Sequence, residues 1–256
     1  YLDSDQPLYG LSHQSEDGQP ARFTTVEDIA THYLNEIRSV QPRGPYFLGG
    51  YCFGGLVAFE MAQQLKSQNE NVGLLVLLAP STPKNLPSSR APVNSREVSS
   101  DDERFRDVVL RHMRWPAILE RANRRSYVLK RIGARMTEFV NAARTVARKL
   151  ASRIYLKLGR SLPVSLRSPY ILDIYFKAID RYVPKPYDGA AVLFQEQNSH
   201  EDFGTEWPDL LPSMISVHQI PGDHTALVDE PYARAWAERL DDLLTVARER
   251  DMTFVK

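Results

Sequence analysis

The sequence predicts an α/β fold with a mostly parallel sheet flanked by helices, and three observations carry that prediction. Residues 45–65 read as a short apolar run (Tyr46, Phe47, Leu48), a glycine-rich turn, and then apolar residues at helical spacing: Leu56, Phe59, Met61, Ala62 and Leu65. Residues 72–78 form a continuous apolar run of strand length, whose lack of alternation fits burial on both faces, as in a parallel sheet. Strand candidates return at 190–194 and 215–220, followed by a helical pattern from about Pro231. Strand, helix, strand in that order implies right-handed crossovers.

The remaining elements follow in chain order. Residues 1–22 are rich in turn residues around a short strand candidate, Leu8-Tyr9-Gly10-Leu11. Thr25 through Asp28 is a capping-box variant, and apolar residues from Val26 to Val40 then mark an amphipathic helix ending at Gln41-Pro42. Residues 80–100 carry four prolines and many serines and read as loop. Residues 101–160 are helical in character, with Pro163 and Pro169 breaking the pattern before a further helix over 171–179. The organisation expected is a core over 1–85, a helical lid insertion over 86–180, and a second core part over 181–256. No internal repeat and no metal-ligand cluster stands out.

At 256 residues the chain can bury one large core. The single cysteine rules out an internal disulfide, residues 1–20 lack a signal-peptide layout, and no run of about 18 apolar residues exists, so a cytoplasmic protein is expected. The net charge of zero hides an asymmetry. Residues 104–167 hold 17 Lys or Arg against three acids (Asp107, Glu120 and Glu138), which sets that stretch apart as a surface with its own partner preference.

The one cysteine, Cys52, lies inside Gly50-Tyr51-Cys52-Phe53-Gly54, the nucleophile-elbow pattern with sulfur in place of oxygen. A lone cysteine is ordinarily a small buried core residue. Here the paired glycines on each side and the strand-to-helix setting favour a nucleophile. Gly50 and Gly54 are expected to leave room for close backbones, and the helix starting at Phe53 aims N–H groups and a positive dipole end at the sulfur. The Phe53 N–H is thus a candidate oxyanion donor. A thiol of pKa ~8.5 needs a neighbouring base. Of six histidines, His224 has the right context, following a strand through Pro221-Gly222 and preceding the last helix.

Taken together, Pro42-x-Gly44-Pro45-Tyr46, Gly50-Tyr51-Cys52-Phe53-Gly54-Gly55, Tyr182-x-Pro184-x-Pro186-Tyr187-Asp188-Gly189 and Pro221-Gly222-Asp223-His224 resemble the thioesterase domains that end nonribosomal peptide and polyketide synthases. The resemblance implies an α/β-hydrolase fold with a helical lid. It also implies release of an acyl or peptidyl chain from the phosphopantetheine arm of a carrier protein, by hydrolysis or cyclisation. Carried over, Cys52 is the nucleophile, His224 the base and the Phe53 N–H one oxyanion donor, with no cofactor in the chain itself.

Three departures from the family pattern stand out. Cys replaces the usual Ser, which favours an aminolysis-prone acyl enzyme. The family's acid normally ends the strand after the elbow helix, where this chain has Ala79. Either the acid has moved to the region after the next strand, where Glu196, Asn198, Glu201 and Asp202 are available, or a Cys–His dyad suffices, or position 79 or 52 has been altered by engineering. The opening strand and the loop giving the second oxyanion donor are expected before residue 1.

For the basic stretch, a solvated helix face and docking of an acidic carrier protein are the competing readings, with nucleic acid and membrane disfavoured. Trp115, Ile118, Tyr170, Tyr175 and Phe176 are expected to line a hydrophobic pocket under the lid. Two rival functions remain open: a Cys acyltransferase or cyclase forming amides or lactones, and a decayed hydrolase that only binds carrier proteins.

Overall fold

The structure, a computed structural model, describes residues 6–83, 144–196, 207–221, 224 and 226–254. Two compact units are distinguished, one comprising 1–14, 21–87 and 171–256, the other 15–20 and 88–170.

Among its described residues the larger unit holds a four-stranded parallel sheet whose spatial order follows the chain: β1 (Tyr46–Tyr51), β2 (Val72–Leu78), β3 (Ala191–Glu196) and β4 (Met214–Ile220). Helix α1 (Val26–Val40) precedes β1 and α2 (Phe53–Ser67) connects β1 to β2. The Thr25 hydroxyl oxygen accepts from the Asp28 N–H at 3.1 Å, and the hydroxyl donates to the Asp28 carboxylate at 2.7 Å. That cap starts α1 where the sequence places it.

The two central strands, β2 and β3, are buried on both faces, and their apolar runs divide between two cores by strand alternation. Leu75, Leu77, Ala191 and Leu193 face a core built with α1, α2, Tyr182, Tyr187 and Trp207. Leu74, Val76, Val192 and Phe194 face a second core with Ile220, Leu227, Leu244 and Ala247. The last two of these lie on the C-terminal helix, Tyr232–Phe254. Unbroken apolarity in β2 is thus the sum of two alternating faces.

Several expectations need correction. Residues 8–11 are irregular rather than a strand, with Leu8 82% and Tyr9 69% exposed, so no apolar face there is buried to hold a register. The first sheet strand runs on through Gly49, Gly50 and Tyr51, because its backbone pairs with β2 as far as Tyr51 opposite Leu78. Pro169 does not break the chain: the helix from Val164 to Arg181 includes it, at the expense of one backbone hydrogen bond. A short helix, Trp207–Leu210, was not foreseen; it buries the Trp207 ring edge-on to Phe59 at 5.1 Å.

From Ile171 onward the Val164–Arg181 helix packs into the larger unit's core through Ala178 and Ile179, followed by Tyr182. The Tyr182 hydroxyl donates to Glu60 at 2.7 Å and accepts from Gln63 at 2.9 Å, which ties this chain segment to the elbow helix α2. Burial, then the charge of Glu60, pushes the Tyr182 hydroxyl well above its ordinary range, so it remains a proton donor.

In the smaller unit, residues 144–157 are helical. Arg148, Arg153 and Lys157 are exposed on that helix, as is Arg160 beyond it. The Leu162 N–H donates to the Gly18 carbonyl at 2.7 Å, and Arg167 donates to the Glu16 carbonyl at 2.6 Å. The rest of the expected lid, 86–143, with Trp115, Ile118 and the basic residues 104–135, lies outside the described residues. Among the described residues no helix is long and apolar enough to cross a membrane.

Candidate active site

Parallel strands bring their C-terminal ends to one edge, and in open α/β sheets ligands bind at that edge. Cys52 follows the last residue of β1, Ala79 follows β2, Glu196 ends β3, and His224 lies four residues past β4. The sheet order therefore delivers one side chain from each strand to the same edge.

Cys52 has φ 54° and ψ −121° and serves as the N-cap of α2 without a side-chain cap bond. For a residue with a Cβ this conformation stores roughly 1–3 kcal/mol, held in place by the surrounding structure. The hold is visible in three hydrogen bonds: the Cys52 N–H donates to the Leu78 carbonyl at 3.0 Å, and the Cys52 carbonyl accepts from Gly55 at 3.1 Å and Ser81 at 3.0 Å. A Cβ on Gly50 would sit 2.1 Å from the Gly54 carbonyl oxygen, so only glycine fits there. The partner position is not Gly54, where a Cβ would meet nothing within 4 Å, but Gly55, where it would meet Pro80 at 2.9 Å and the Gly50 carbonyl at 3.0 Å. The elbow's space requirement thus falls one residue later than expected.

Around the sulfur, the structure brings Cys52 and His224 together. Burial raises the thiol pKa, but hydrogen bonding to His224, the charge of His224, and hydrogen bonds from the Ser81 hydroxyl and the Phe53 N–H outweigh it and hold the thiol below its ordinary value. For His224, burial acts to lower the pKa. Hydrogen bonding to Cys52 and Glu196, followed by their charges, overcomes that and pushes it up to about 10. The thiol is pushed down and the imidazole up, so each shift favours the charged form of its group.

Glu196, 10% exposed, places Oε1 3.4 Å from His224 Nδ1, at the outer edge of hydrogen-bonding range. The carboxylate absent from the end of β2 has a counterpart one strand further along. Ala79 itself is buried in the core cluster that also holds Ile220 and Leu227, and it donates its N–H to the Phe194 carbonyl at 2.7 Å. Asn198, Glu201 and Asp202 lie outside the described residues.

Two neighbours were not singled out from the sequence. Ser81, 5% exposed, has its hydroxyl 3.6 Å from the Cys52 sulfur. Its only sequence signal is its place, two residues past the position where an acid is expected. Tyr51, the variable residue of the elbow pattern, donates its hydroxyl to the His224 carbonyl at 2.6 Å and stacks on the imidazole with centroids 4.9 Å apart. Of the expected pocket residues, Tyr175 stacks on the Phe53 ring at 4.0 Å. Among the described residues, no group of three or more His, Cys, Asp or Glu is placed to hold a metal ion.

Residues 2–244 match the family model described as thioesterase domain. The chain belongs to the thioesterase domain family. It is 46% identical over 78 residues to malpinin synthetase of Mortierella alpina, covering 30% of this chain and 1% of that protein. A dimodular nonribosomal peptide synthase of Bacillus subtilis is 29% identical over 208 residues, 81% of this chain and 8% of the relative. Among solved structures, a four-domain nonribosomal peptide synthetase bound to AMP and glycine superposes with a TM-score of 0.55 at 25% identity, covering 90% of this chain and 16% of the other. The thioesterase thus has the α/β-hydrolase fold that its motifs imply, and it spans a small part of the length of the synthetases it resembles.

Proposed function

We propose that this thioesterase releases an acyl or peptidyl chain from the phosphopantetheine of a carrier protein through an acyl enzyme on Cys52, by hydrolysis or by attack of an internal amine or hydroxyl. What supports the reading is one arrangement: His224 lies between the Glu196 carboxylate and the Cys52 thiol at the C-terminal edge of the sheet.

The chemistry follows from the charges. The Cys52 thiolate attacks the thioester carbonyl, and the electron pair of the C=O moves onto oxygen, where the Phe53 N–H at the start of α2 donates. The intermediate collapses, the pantetheine C–S bond breaks, and the leaving thiolate takes the proton from the His224 imidazolium. Neutral His224 then accepts the proton of water, an amine or a hydroxyl as that group attacks the acyl enzyme. Glu196 orients the ring and stabilises its charged form, the third role in a triad recognised by geometry and not by sequence position. No cofactor in the chain is required by this scheme. The carrier protein is the partner proposed for the basic 104–167 stretch, by charge complementarity.

The test is intact-protein mass spectrometry after adding an acyl or aminoacyl pantetheine thioester, with Cys52→Ala alongside. An adduct on the parent, absent from the variant, is expected, and its decay in water compared with added amine reads the releasing nucleophile. No adduct across several acyl types would overturn the reading.

A further inference from the structure

We propose that Ser81 is a further catalytic residue, its hydroxyl donating a hydrogen bond to the Cys52 sulfur whenever that sulfur carries negative charge. The inference rests on the reading of Cys52 as the nucleophile and extends it to the group that governs how the sulfur leaves.

Three observations place the hydroxyl. It lies 3.6 Å from the sulfur, within the reach of a hydrogen bond to this large atom. The Ser81 side chain is 5% exposed, so water competes little for it. Its backbone is fixed by the elbow itself, since the Ser81 N–H donates to the Cys52 carbonyl at 3.0 Å and the preceding Pro80 lies against Gly55. A thiolate can only accept, so in the ion-paired state the hydroxyl is the donor. Among the described residues, the titratable groups bearing on the sulfur are His224 directly, with Glu196 behind it from β3 and Tyr51 stacked on its ring from β1.

The hydrogen bond is strong at some points of the cycle and weak at others. In the acyl enzyme the sulfur is a neutral thioester and a poor acceptor. When water or an amine has added to the carbonyl and given its proton to His224, the intermediate collapses. The C=O bond re-forms, the C–S bond breaks, and the electron pair of that bond goes to Cys52 sulfur. Charge returns to the atom that Ser81 faces, so the hydroxyl favours this step over the resting acyl enzyme. It also favours the thiolate before acylation. That raises the fraction of charged sulfur while lowering its intrinsic nucleophilicity, two effects that partly cancel. Deacylation therefore gains more than acylation.

The experiment compares parent, Ser81→Ala and Ser81→Thr. Two quantities are measured: the pH dependence of Cys52 alkylation by iodoacetamide, and the lifetime of the acyl enzyme formed from an acyl pantetheine thioester, followed by intact mass. Ser81→Ala keeps the backbone N–H and hence the elbow contact. Its alkylation profile is expected to move about one unit to higher pH, and its acyl enzyme to live roughly tenfold longer, as loss of one hydrogen bond to a charged group implies. Ser81→Thr restores both. If the parent acylates and turns over but Ser81→Ala matches it in both measurements, the inference falls while the nucleophile stands. If both shift in Ser81→Ala but Thr restores neither, the hydroxyl is not the cause and the inference falls as well. If the parent takes no acyl group at all, the underlying reading fails with it.

Discussion

Strands β2 and β3 run parallel and in register, from Leu75 opposite Ala191 to Leu78 opposite Phe194, yet their ends are put to different uses. β2 is followed by Ala79, buried, with a left-handed φ of 38° and its N–H bonded to the Phe194 carbonyl. β3 continues to Glu196, whose carboxylate faces His224. Neighbouring strands are about 4.8 Å apart, less than the reach of a glutamate side chain, so an acid can move one strand along the edge and still find the same imidazole. In the proposed mechanism the acid's role belongs to the edge, and the strand that fills it can change. What β2 retains is the frame: Pro80 against Gly55 and Ser81 on the Cys52 carbonyl.

The largest effect that would break this contrast is at β3. Glu196→Gln removes the charge that helps hold His224 protonated to about pH 10. The imidazolium pKa then falls, because its charged form loses the hydrogen bond and the charge of Glu196. The ion pair survives over a narrower span, because its alkaline limit, where His224 gives up its proton, and with it the alkaline limb of kcat/KM, moves to lower pH. A loss of about 10²-fold in kcat/KM at pH 7 is expected. An unchanged profile would show that the pair needs no carboxylate from β3.

A smaller effect tests the frame at β2. Gly55→Ala drives a Cβ into Pro80 and the Gly50 carbonyl and should lower stability by about 1–3 kcal/mol. Gly54→Ala, with open space at its Cβ, should be neutral or stabilising by up to about 1 kcal/mol. Thermal unfolding of the two variants side by side measures the difference, and equal midpoints would remove the case for a pinned β2 end.

The smallest effect asks whether the two ends are interchangeable. Aspartate tolerates left-handed φ better than most residues, so Ala79→Asp is conformationally suited. In a Glu196→Gln background it should restore less than about tenfold of the lost kcat/KM and bring its alkaline limb part of the way back. No recovery would mean that the β2 end now serves as scaffold alone.

How far the sequence could be read follows the same division. The apolar runs of β2 and β3 announce buried parallel strands because every residue in them meets a core on one face or the other. The glycines at 49 and 50 look like turn but continue β1, since pairing with β2 overrides their low strand propensity. Cys52 and His224 are legible because their local patterns carry them. Glu196 is one of four open candidates from sequence, because its role depends on strand register and side-chain direction, which no local pattern encodes. Ser81 and Tyr51 are silent for the same reason: each matters through a neighbour distant in sequence. The glycine requirement shifts from Gly54 to Gly55 because the close approach is to Pro80, from another strand's end.

The conformation of Cys52 has a consequence for which side chains position 52 can carry. Its strain resides in φ 54° and ψ −121°, that is, in the backbone, so serine and cysteine bear it equally. An exchange of sulfur for oxygen at this position therefore asks nothing new of the fold. On the proposed reading of Cys52 as the nucleophile, selection between the two elements can act on product, on whether the chain is released to water or handed to an amine.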